Sequence, residues 1–242
     1  MHKLKLIILG VALICFFSEA ASAQGLFKYF KWTAYTDGPE KIDHIVVDIS
    51  HDRFLDVPSG INQSNYSVGV GVYGFHDHPI NRKSTLSLAI GLGYGGVNYH
   101  TNGRFAYTPN SNGDLITEFL PNPPGLDIRK NKLNVNYLEV PVELRIRSMK
   151  VSMEDRPITN FRLYMGFKGG WMVNNHTKYK DGNSKIKVYN IKNILEYRYG
   201  PTLRIGFKKI SINGFYSLTP LFKDGFGPEM YPISFGISWI RL

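Results

Sequence analysis

The sequence predicts an all-β protein, an eight-stranded antiparallel up-and-down transmembrane β-barrel. Three observations support this fold class. Apolar residues alternate with small or charged residues in eight segments after residue 44, which is the pattern of strands with two different faces. Most of the segments have about the 9 to 11 residues that a barrel strand needs to cross a bilayer. The connections at one predicted end of the barrel are on average shorter than those at the other end, as in other membrane β-barrels.

The N-terminal residues 1–23 are predicted to be an export signal. Lys3 and Lys5 precede an apolar run, and Ala21-Ser22-Ala23 follows it as a cleavage site, which is the arrangement of a secretory signal peptide. The apolar run is too short to span a bilayer as a helix, since a spanning helix needs roughly 20 such residues. We therefore expect export, a periplasmic lead-in over residues 24–44, and a barrel over residues 45–242.

The first four predicted strands differ mainly in what fills their less apolar face. They cover residues 45–52, 66–72, 86–95 and 138–147. The first alternates Ile and Val with Asp and Ser, and the next two alternate aliphatic or Tyr residues with Ser, Ala and Gly. The fourth alternates Leu, Val and Ile with Glu, Arg and one Pro. Period-two alternation of this kind indicates strands.

The last four predicted strands carry more aromatic residues. They cover residues 161–171, 195–207, 210–220 and 231–241. Their apolar faces combine Phe, Tyr and Trp with aliphatic residues, and several of the aromatic residues lie near strand ends. Aromatic residues at both ends of the strands are typical of the two girdles of a membrane barrel.

The connections predict which end of the barrel faces the cell exterior. The connections after the second, fourth and sixth strands are 77–83, 148–159 and 208–209, and they are on average shorter than the other four, which are 56–65, 99–132, 176–192 and 222–230. Because membrane barrels have short periplasmic turns and longer outer loops, we expect the first strand to start at the periplasmic side.

The charged residues of the strands share one parity and are predicted to face the lumen. They are Glu139, Glu143, Arg145, Arg147, Arg162, Glu196, Arg198 and Arg204. An eight-stranded barrel is just wide enough for side chains to fill it, so we expect these charges to pair as a structural cluster. A substrate or proton path through the lumen is the alternative. A soluble barrel with an apolar lumen would require the opposite parity.

The long predicted loop 99–132 is rich in aromatic and apolar residues, among them Phe105, Tyr107 and Phe119. Loops of this length are usually functional or disordered. The composition favours docking, either onto the barrel mouth, onto a partner protein or onto an extracellular ligand.

The basic charge of the chain indicates anionic neighbours. Loss of Lys3, Lys5 and Glu19 with the signal changes the formal net charge from +10 to +9, and a basic surface attracts anionic groups. We expect contact with outer-membrane lipid, with lipopolysaccharide and with other outer-membrane or periplasmic proteins. No nucleic-acid-binding motif accompanies the charge, so no nucleic acid is expected.

No catalytic, metal or cofactor site is predicted. The His76-Asp77-His78 segment is interpreted as a strand end followed by a solvated turn, because its spacing matches no zinc signature. His51 and Asp52 at the rim of the first strand raise the alternative of a lipid-modifying enzyme. No nucleophile is paired with a base at a recognisable spacing, however.

The segment Tyr137-Leu138-Glu139-Val140-Pro141-Val142 resembles the Y-L-E-[IV]-P-[LV] signature of the PorT-like outer-membrane β-barrel family of Bacteroidota. The resemblance implies an outer-membrane location, an eight-stranded barrel and an accessory role in type IX protein secretion. Our leading hypothesis is therefore a non-enzymatic accessory or structural subunit of a larger envelope machine. A lipid-modifying barrel enzyme and a narrow channel remain the alternatives.

Overall fold

The computed structural model describes residues 45–80, 85–123, 125, 128–151, 157–182 and 184–241. The predicted signal peptide 1–23 and lead-in 24–44 lie outside the described residues. Within the described part of the chain, no helix is both long and apolar enough to cross a membrane.

Eleven strands are found among the described residues. They are β1 (Ile45–Leu55), β2 (Val68–Pro79), β3 (Leu86–His100), β4 (Gly103–Pro109), β5 (Leu115–Pro121), β6 (Lys130–Val151), β7 (Pro157–Lys180), β8 (Lys185–Tyr189), β9 (Tyr197–Phe207), β10 (Ile210–Tyr216) and β11 (Tyr231–Arg241). Eight of them form a sheet in the order β6-β3-β2-β1-β11-β10-β9-β7, and pairing of β6 with β7 closes it. Every neighbouring pair is antiparallel. The predicted eight-stranded antiparallel barrel is confirmed.

The β2–β3, β6–β7 and β9–β10 connections lie together at one end, which we call the short-turn end. The remaining connections lie at the opposite, long-loop end. There β6 and β7 run to 22 and 24 residues, about twice the predicted length. The 99–132 segment contains the β4–β5 hairpin, and the 176–192 segment contains β8, which pairs with β7 alone. Strands therefore occupy much of both segments that the sequence predicts to be loops.

The interpretation of His76, Asp77 and His78 as a strand end followed by a solvated turn is wrong. All three residues belong to β2, and they pair with Ile90, Ala89 and Leu88 of β3. Strand pairing therefore continues through these residues. Asp77 is directed into the lumen, where Arg145 and Arg147 bind it.

The two faces of the barrel wall differ as the alternation predicts. The outward face carries exposed aliphatic and aromatic side chains on all eight strands. The inward face encloses two apolar clusters and a network of charged residues. The smaller cluster, formed by Val46, Tyr73, Phe75, Ala89, Tyr164 and Ile240, lies toward the short-turn end and is interleaved with the charged residues. At the long-loop end lies a larger cluster, the mouth core, formed by Phe54, Ile61, Val97, Tyr99, Phe119, Leu133, Val135, Tyr137, Ile191, Ile194, Leu221, Phe222 and Met230.

Candidate functional site

Two arginines share one carboxylate in the half of the lumen nearest the short-turn end. Arg145 Nη1 lies 2.7 Å from Asp77 Oδ1, and Arg147 Nη2 pairs with Asp77 Oδ2. Arg147 Nε and Arg162 Nε donate to the Tyr164 hydroxyl at 2.9 and 3.1 Å. All three guanidinium groups are buried, so these partners compensate the loss of hydration.

Glu143 joins this region to the middle of the lumen. Its Oε2 lies 2.8 Å from Arg145 Nη2, and its Oε1 pairs with Arg204 Nη1. Arg204 Nη2 in turn lies 3.0 Å from Asp48 Oδ2, while Arg204 Nε donates to Ser238 Oγ at 2.9 Å. Opposite charges therefore alternate along the lumen.

Glu139 is the centre of the charged network in the half of the lumen nearest the long-loop end, which we call the upper lumen. Its carboxylate lies 2.8 Å from Arg198 Nη2 and 3.0 Å from Lys168 Nζ, and it accepts a hydrogen bond from the Tyr73 hydroxyl at 2.6 Å. The Arg198 guanidinium also lies over the Tyr137 ring, 3.9 Å from its centroid. One carboxylate thus holds two cations that would otherwise be buried without a counter-charge.

Seven of the eight charged residues assigned to the lumen from sequence are buried there. They are Glu139, Glu143, Arg145, Arg147, Arg162, Arg198 and Arg204. Glu196 is a correction, because its side chain is 55% exposed and its Oε1 lies 3.6 Å from Lys223 Nζ. Glu196 has lumen parity but precedes Tyr197, the first residue of β9, so it lies at the rim.

Several partners of the lumen charges were not singled out from sequence, among them Asp48, Asp77 and Tyr73. The parity of the first predicted strand places Asp48 on the lumen face, and the parity of the second, continued one residue past its predicted end, does the same for Tyr73. Asp77 gave no such signal, because Pro79 shortly after it indicated a turn.

His51 and Asp52 cannot act as a pair, because neighbouring residues of a strand point to opposite faces. His51 lies against the Phe235 ring, with the ring centroids 5.1 Å apart. Asp52 is fully buried and accepts hydrogen bonds from Ser50 Oγ at 2.8 Å and Ser234 Oγ at 2.7 Å. Their geometry gives no support to a catalytic role.

The β4–β5 hairpin docks onto the mouth of its own barrel. Phe119 is buried in the mouth core. Phe105 stacks on it with ring centroids 4.8 Å apart, and it lies 5.8 Å from the Phe222 ring. Tyr107 is further out and 38% exposed, and its hydroxyl accepts a hydrogen bond from Lys192 N at 3.3 Å. Of the three docking targets left open by the sequence, the structure shows contact with the barrel mouth.

Hydrogen bonds to two other loops fix the hairpin. Thr117 N donates to Phe226 O at 2.9 Å, and Asn193 Nδ2 donates to Leu115 O at 2.7 Å and to Thr117 Oγ1 at 3.0 Å. Asn193 has a φ of 64°, a left-handed conformation that asparagine tolerates better than most residues. The long-loop end is therefore an ordered structure rather than a set of independent loops.

A cleft of about 480 Å³ separates the hairpin from the extended part of β6, β7 and β8. Its apolar and aromatic lining includes Phe105, Tyr107, Leu133, Ile186 and Val188, and its polar lining includes Asn122, Asn131, Thr177 and Tyr179. Apolar walls with a few polar groups are the usual composition of a binding pocket. The cleft is thus the candidate binding site for a peptide segment or a small molecule at the long-loop end.

Six lysines form two rows on the opposite, outward face of the same extension, and we call them the cationic ladder. One row is Lys130, Lys180 and Lys185, and the other is Lys132, Lys178 and Lys187, as the pairing of β6, β7 and β8 places them.

The ladder is crowded enough to change the pKa of its members. Lys185 is the main cause of the lowered pKa of Lys178. Burial, followed by the charges of Lys130 and Lys178, lowers the pKa of Lys132. Burial and the nearby lysines also lower the pKa values of His100 and His176. The surface is therefore one on which added positive charge is unfavourable.

In the described part of the chain, no group of three or more His, Cys, Asp or Glu side chains could hold a metal ion.

The sequence matches the family model described as outer membrane protein beta-barrel domain over residues 47–223. No curated protein matches it.

Proposed function

The chain belongs to the outer membrane protein beta-barrel domain family, and from this premise we propose that it is a non-enzymatic accessory or structural subunit of a larger envelope assembly. The location follows from the family and from the closed barrel with its apolar outward face. The protein is an outer-membrane β-barrel, with the short-turn end on the periplasmic side.

The folded long-loop end is the observation that carries the proposal. Phe119 and the Thr117–Phe226 hydrogen bond hold the hairpin in one position, and the cleft beside it is lined by exposed aromatic and polar groups. A preformed surface of this kind loses little conformational freedom on binding, which favours association with a partner.

The filled lumen supports a structural role over a channel. Arg145, Glu143 and Arg204 cross the middle of the barrel in direct contact, and the mouth core fills the long-loop end. Charges that neutralise one another in a packed interior compensate for one another's lost hydration. Their side chains also leave little room for an ion path.

The finer assignment, to type IX protein secretion, rests on the resemblance of residues 137–142 to the PorT-like signature. In this chain Tyr137 and Glu139 of that segment both contact Arg198 within the lumen. These two signature residues therefore pack the lumen of this barrel. On the strength of the family resemblance, we propose type IX secretion as the first machine to test.

The test is purification of a tagged copy from native membranes in mild detergent, with mass spectrometry of the proteins that remain attached. A defined set of envelope proteins is expected for the wild type. The double variant Tyr107→Ala/Leu115→Ala, which removes exposed apolar groups from the hairpin, should lose them.

Ile80→Ala is the matched control, because Ile80 is also exposed and apolar but lies at the short-turn end. Recovery of the wild-type barrel alone would contradict the accessory role. Equal recovery of partners by all three proteins would contradict docking through the hairpin. An altered lipid A profile in a deletion strain would instead favour the lipid-modifying enzyme.

A further inference from the structure

The outward face of β3, β6 and β7 changes in composition along its length. Its lower part is apolar and ends at a row of exposed aromatic residues, Tyr94, Trp171 and, on the neighbouring strand β9, Tyr197, level with Leu138. Tyr and Trp mark the interface between membrane and water. The upper end of the hydrocarbon layer is therefore at Leu138.

Four asparagines lie above the aromatic row. Asn136 Nδ2 donates to Asn134 Oδ1 at 2.8 Å and to Asn174 Oδ1 at 2.7 Å, and Asn134 Nδ2 donates to Asn98 Oδ1 at 3.1 Å. The cationic ladder follows immediately, and it is joined to this row by Lys132 Nζ, which donates to Asn98 Oδ1 at 2.5 Å. From the membrane toward the long-loop end, the outward face thus carries apolar side chains first, then asparagine amides, and then lysines.

The ladder has no counter-charge within the described residues. No ion pair involves any of its six lysines there, and the nearest carboxylate along the chain, Asp181, accepts a hydrogen bond from Ser184 N in the β7–β8 turn. The register sets Lys132 opposite Lys178, and Lys178 opposite Lys187. Like charges placed directly opposite one another destabilise a sheet, so a bound anion would stabilise this arrangement.

We propose that the cationic ladder and the asparagine row bind the phosphorylated sugars of lipopolysaccharide in the outer leaflet. The lysines pair with phosphate groups, and the asparagine amides hydrogen-bond to the sugar hydroxyls below them. The two lysine rows cover about 10 Å by 7 Å, since strands are roughly 4.8 Å apart and two residues advance about 7 Å.

The height of the ladder selects a phosphorylated sugar over a phospholipid. Lys132 lies six residues beyond Leu138, or about 20 Å along a strand. A tilt of about 40° brings this to roughly 15 Å above the hydrocarbon edge. A phospholipid headgroup region extends only about 5 to 8 Å beyond that edge. The phosphates of a taller, sugar-based headgroup reach the lysines.

The experiment measures binding of rough-type lipopolysaccharide with a phosphorylated core to the purified barrel in detergent micelles, with a divalent-cation chelator present. Removal of phosphate from the lipopolysaccharide should weaken binding. The variant Lys178→Gln/Lys187→Gln should weaken binding by about 25-fold, since each lysine near an anionic surface contributes about fivefold.

The matched control is Lys208→Gln/Lys209→Gln, which removes two charges at the short-turn end and should bind like the wild type. Temperature-dependent migration on gels verifies that each variant folds, and the single Lys187→Gln variant, with about a fivefold loss expected, replaces the double variant if that one does not. Equal binding by the ladder variant and the control would overturn the proposal. Equal affinity of the wild type for phosphatidylglycerol micelles or for dephosphorylated lipopolysaccharide would also overturn it.

Discussion

Glu139 shows how much of the lumen depends on a single side chain. It neutralises Arg198 and Lys168 and accepts the Tyr73 hydroxyl proton in a hydrogen bond. Breaking one partner of a buried ion pair is far more damaging than replacing the whole pair, because the remaining charge stays buried without compensation.

We expect Glu139→Gln to lower the free energy of unfolding by about 3 to 5 kcal/mol, measured by urea unfolding of the barrel in lipid vesicles. Glu196→Gln is the control, since Glu196 is a half-exposed rim residue, and its loss should cost less than about 1 kcal/mol. Similar effects of the two substitutions would show that the upper lumen is hydrated rather than packed.

A second residue-scale prediction concerns the histidines beside the cationic ladder. Burial is the main cause of the lowered pKa of His100 and His176, and Lys132 lowers both further. Removal of that positive charge favours the protonated imidazole, so Lys132→Gln should raise both pKa values. Nuclear magnetic resonance titration of the imidazole protons in micelles measures the change. Unchanged titration of both histidines would contradict the predicted electrostatic coupling, and Lys209→Gln serves as the distant control.

At the scale of elements, the sequence predicts the strands only as far as they cross the membrane. Along β6 the apolar residues below the aromatic row point outward, as Leu138 and Val140 do. Above it they point inward, as Leu133 and Val135 do. The apolar phase therefore inverts, and a register shift between β6 and β7 at Asn136/Tyr137 accompanies the change. A prediction that assumes one constant alternation of apolar residues ends β6 at this point. The extension of β6 and the cleft beside it were therefore not predicted.

The β4–β5 hairpin should depend on its aromatic anchor. Phe119→Ala removes a buried ring from the mouth core and should destabilise the docked hairpin by about 3 to 5 kcal/mol. Hydrogen exchange of the Thr117 amide, which donates to Phe226 O, measures this local stability. Tyr107→Ala removes a partly exposed ring and should leave the exchange nearly unchanged. Unchanged exchange in Phe119→Ala would mean that the hydrogen bonds alone hold the hairpin.

The contact between β9 and the end of β10 depends on a glycine. A Cβ at Gly200 would lie 1.8 Å from Tyr216 O, whereas a Cβ at Gly169 would meet nothing within 4 Å. We therefore expect Gly200→Ala to reduce the yield of folded barrel strongly, as judged by temperature-dependent gel migration. Gly169→Ala should fold normally, and normal folding of both variants would show that the backbone can move apart.

At the scale of the whole molecule, the lumen holds the mouth core at the long-loop end and, toward the short-turn end, an ion-pair network interleaved with the smaller apolar cluster. The parity of the strands predicts that charges fill the barrel. Which carboxylate meets which guanidinium follows from strand register, and a residue such as Asp77, hidden in an apparent turn, shows why composition alone is insufficient.

We expect no steady ion conductance from the wild-type protein in planar bilayers, because Arg145, Glu143 and Arg204 block the middle of the barrel. The double variant Glu143→Ala/Arg204→Ala, which removes a neutral pair, should conduct only if the mouth core also opens. Steady conductance of the wild type that changes in this variant would establish the channel alternative.

The pairing of β1 with β11 over eleven residues also determines when this barrel can become complete. The two strands are the first and the last to be synthesised among those of the barrel, so the seam cannot form until ribosomal synthesis and transport have delivered both. Without β11, the other seven barrel strands would leave the edges of β1 and β10 without partners. Lipid cannot form hydrogen bonds with the exposed backbone groups of these edges. The chain must therefore be kept unfolded in transit, and insertion and closure form a single late event.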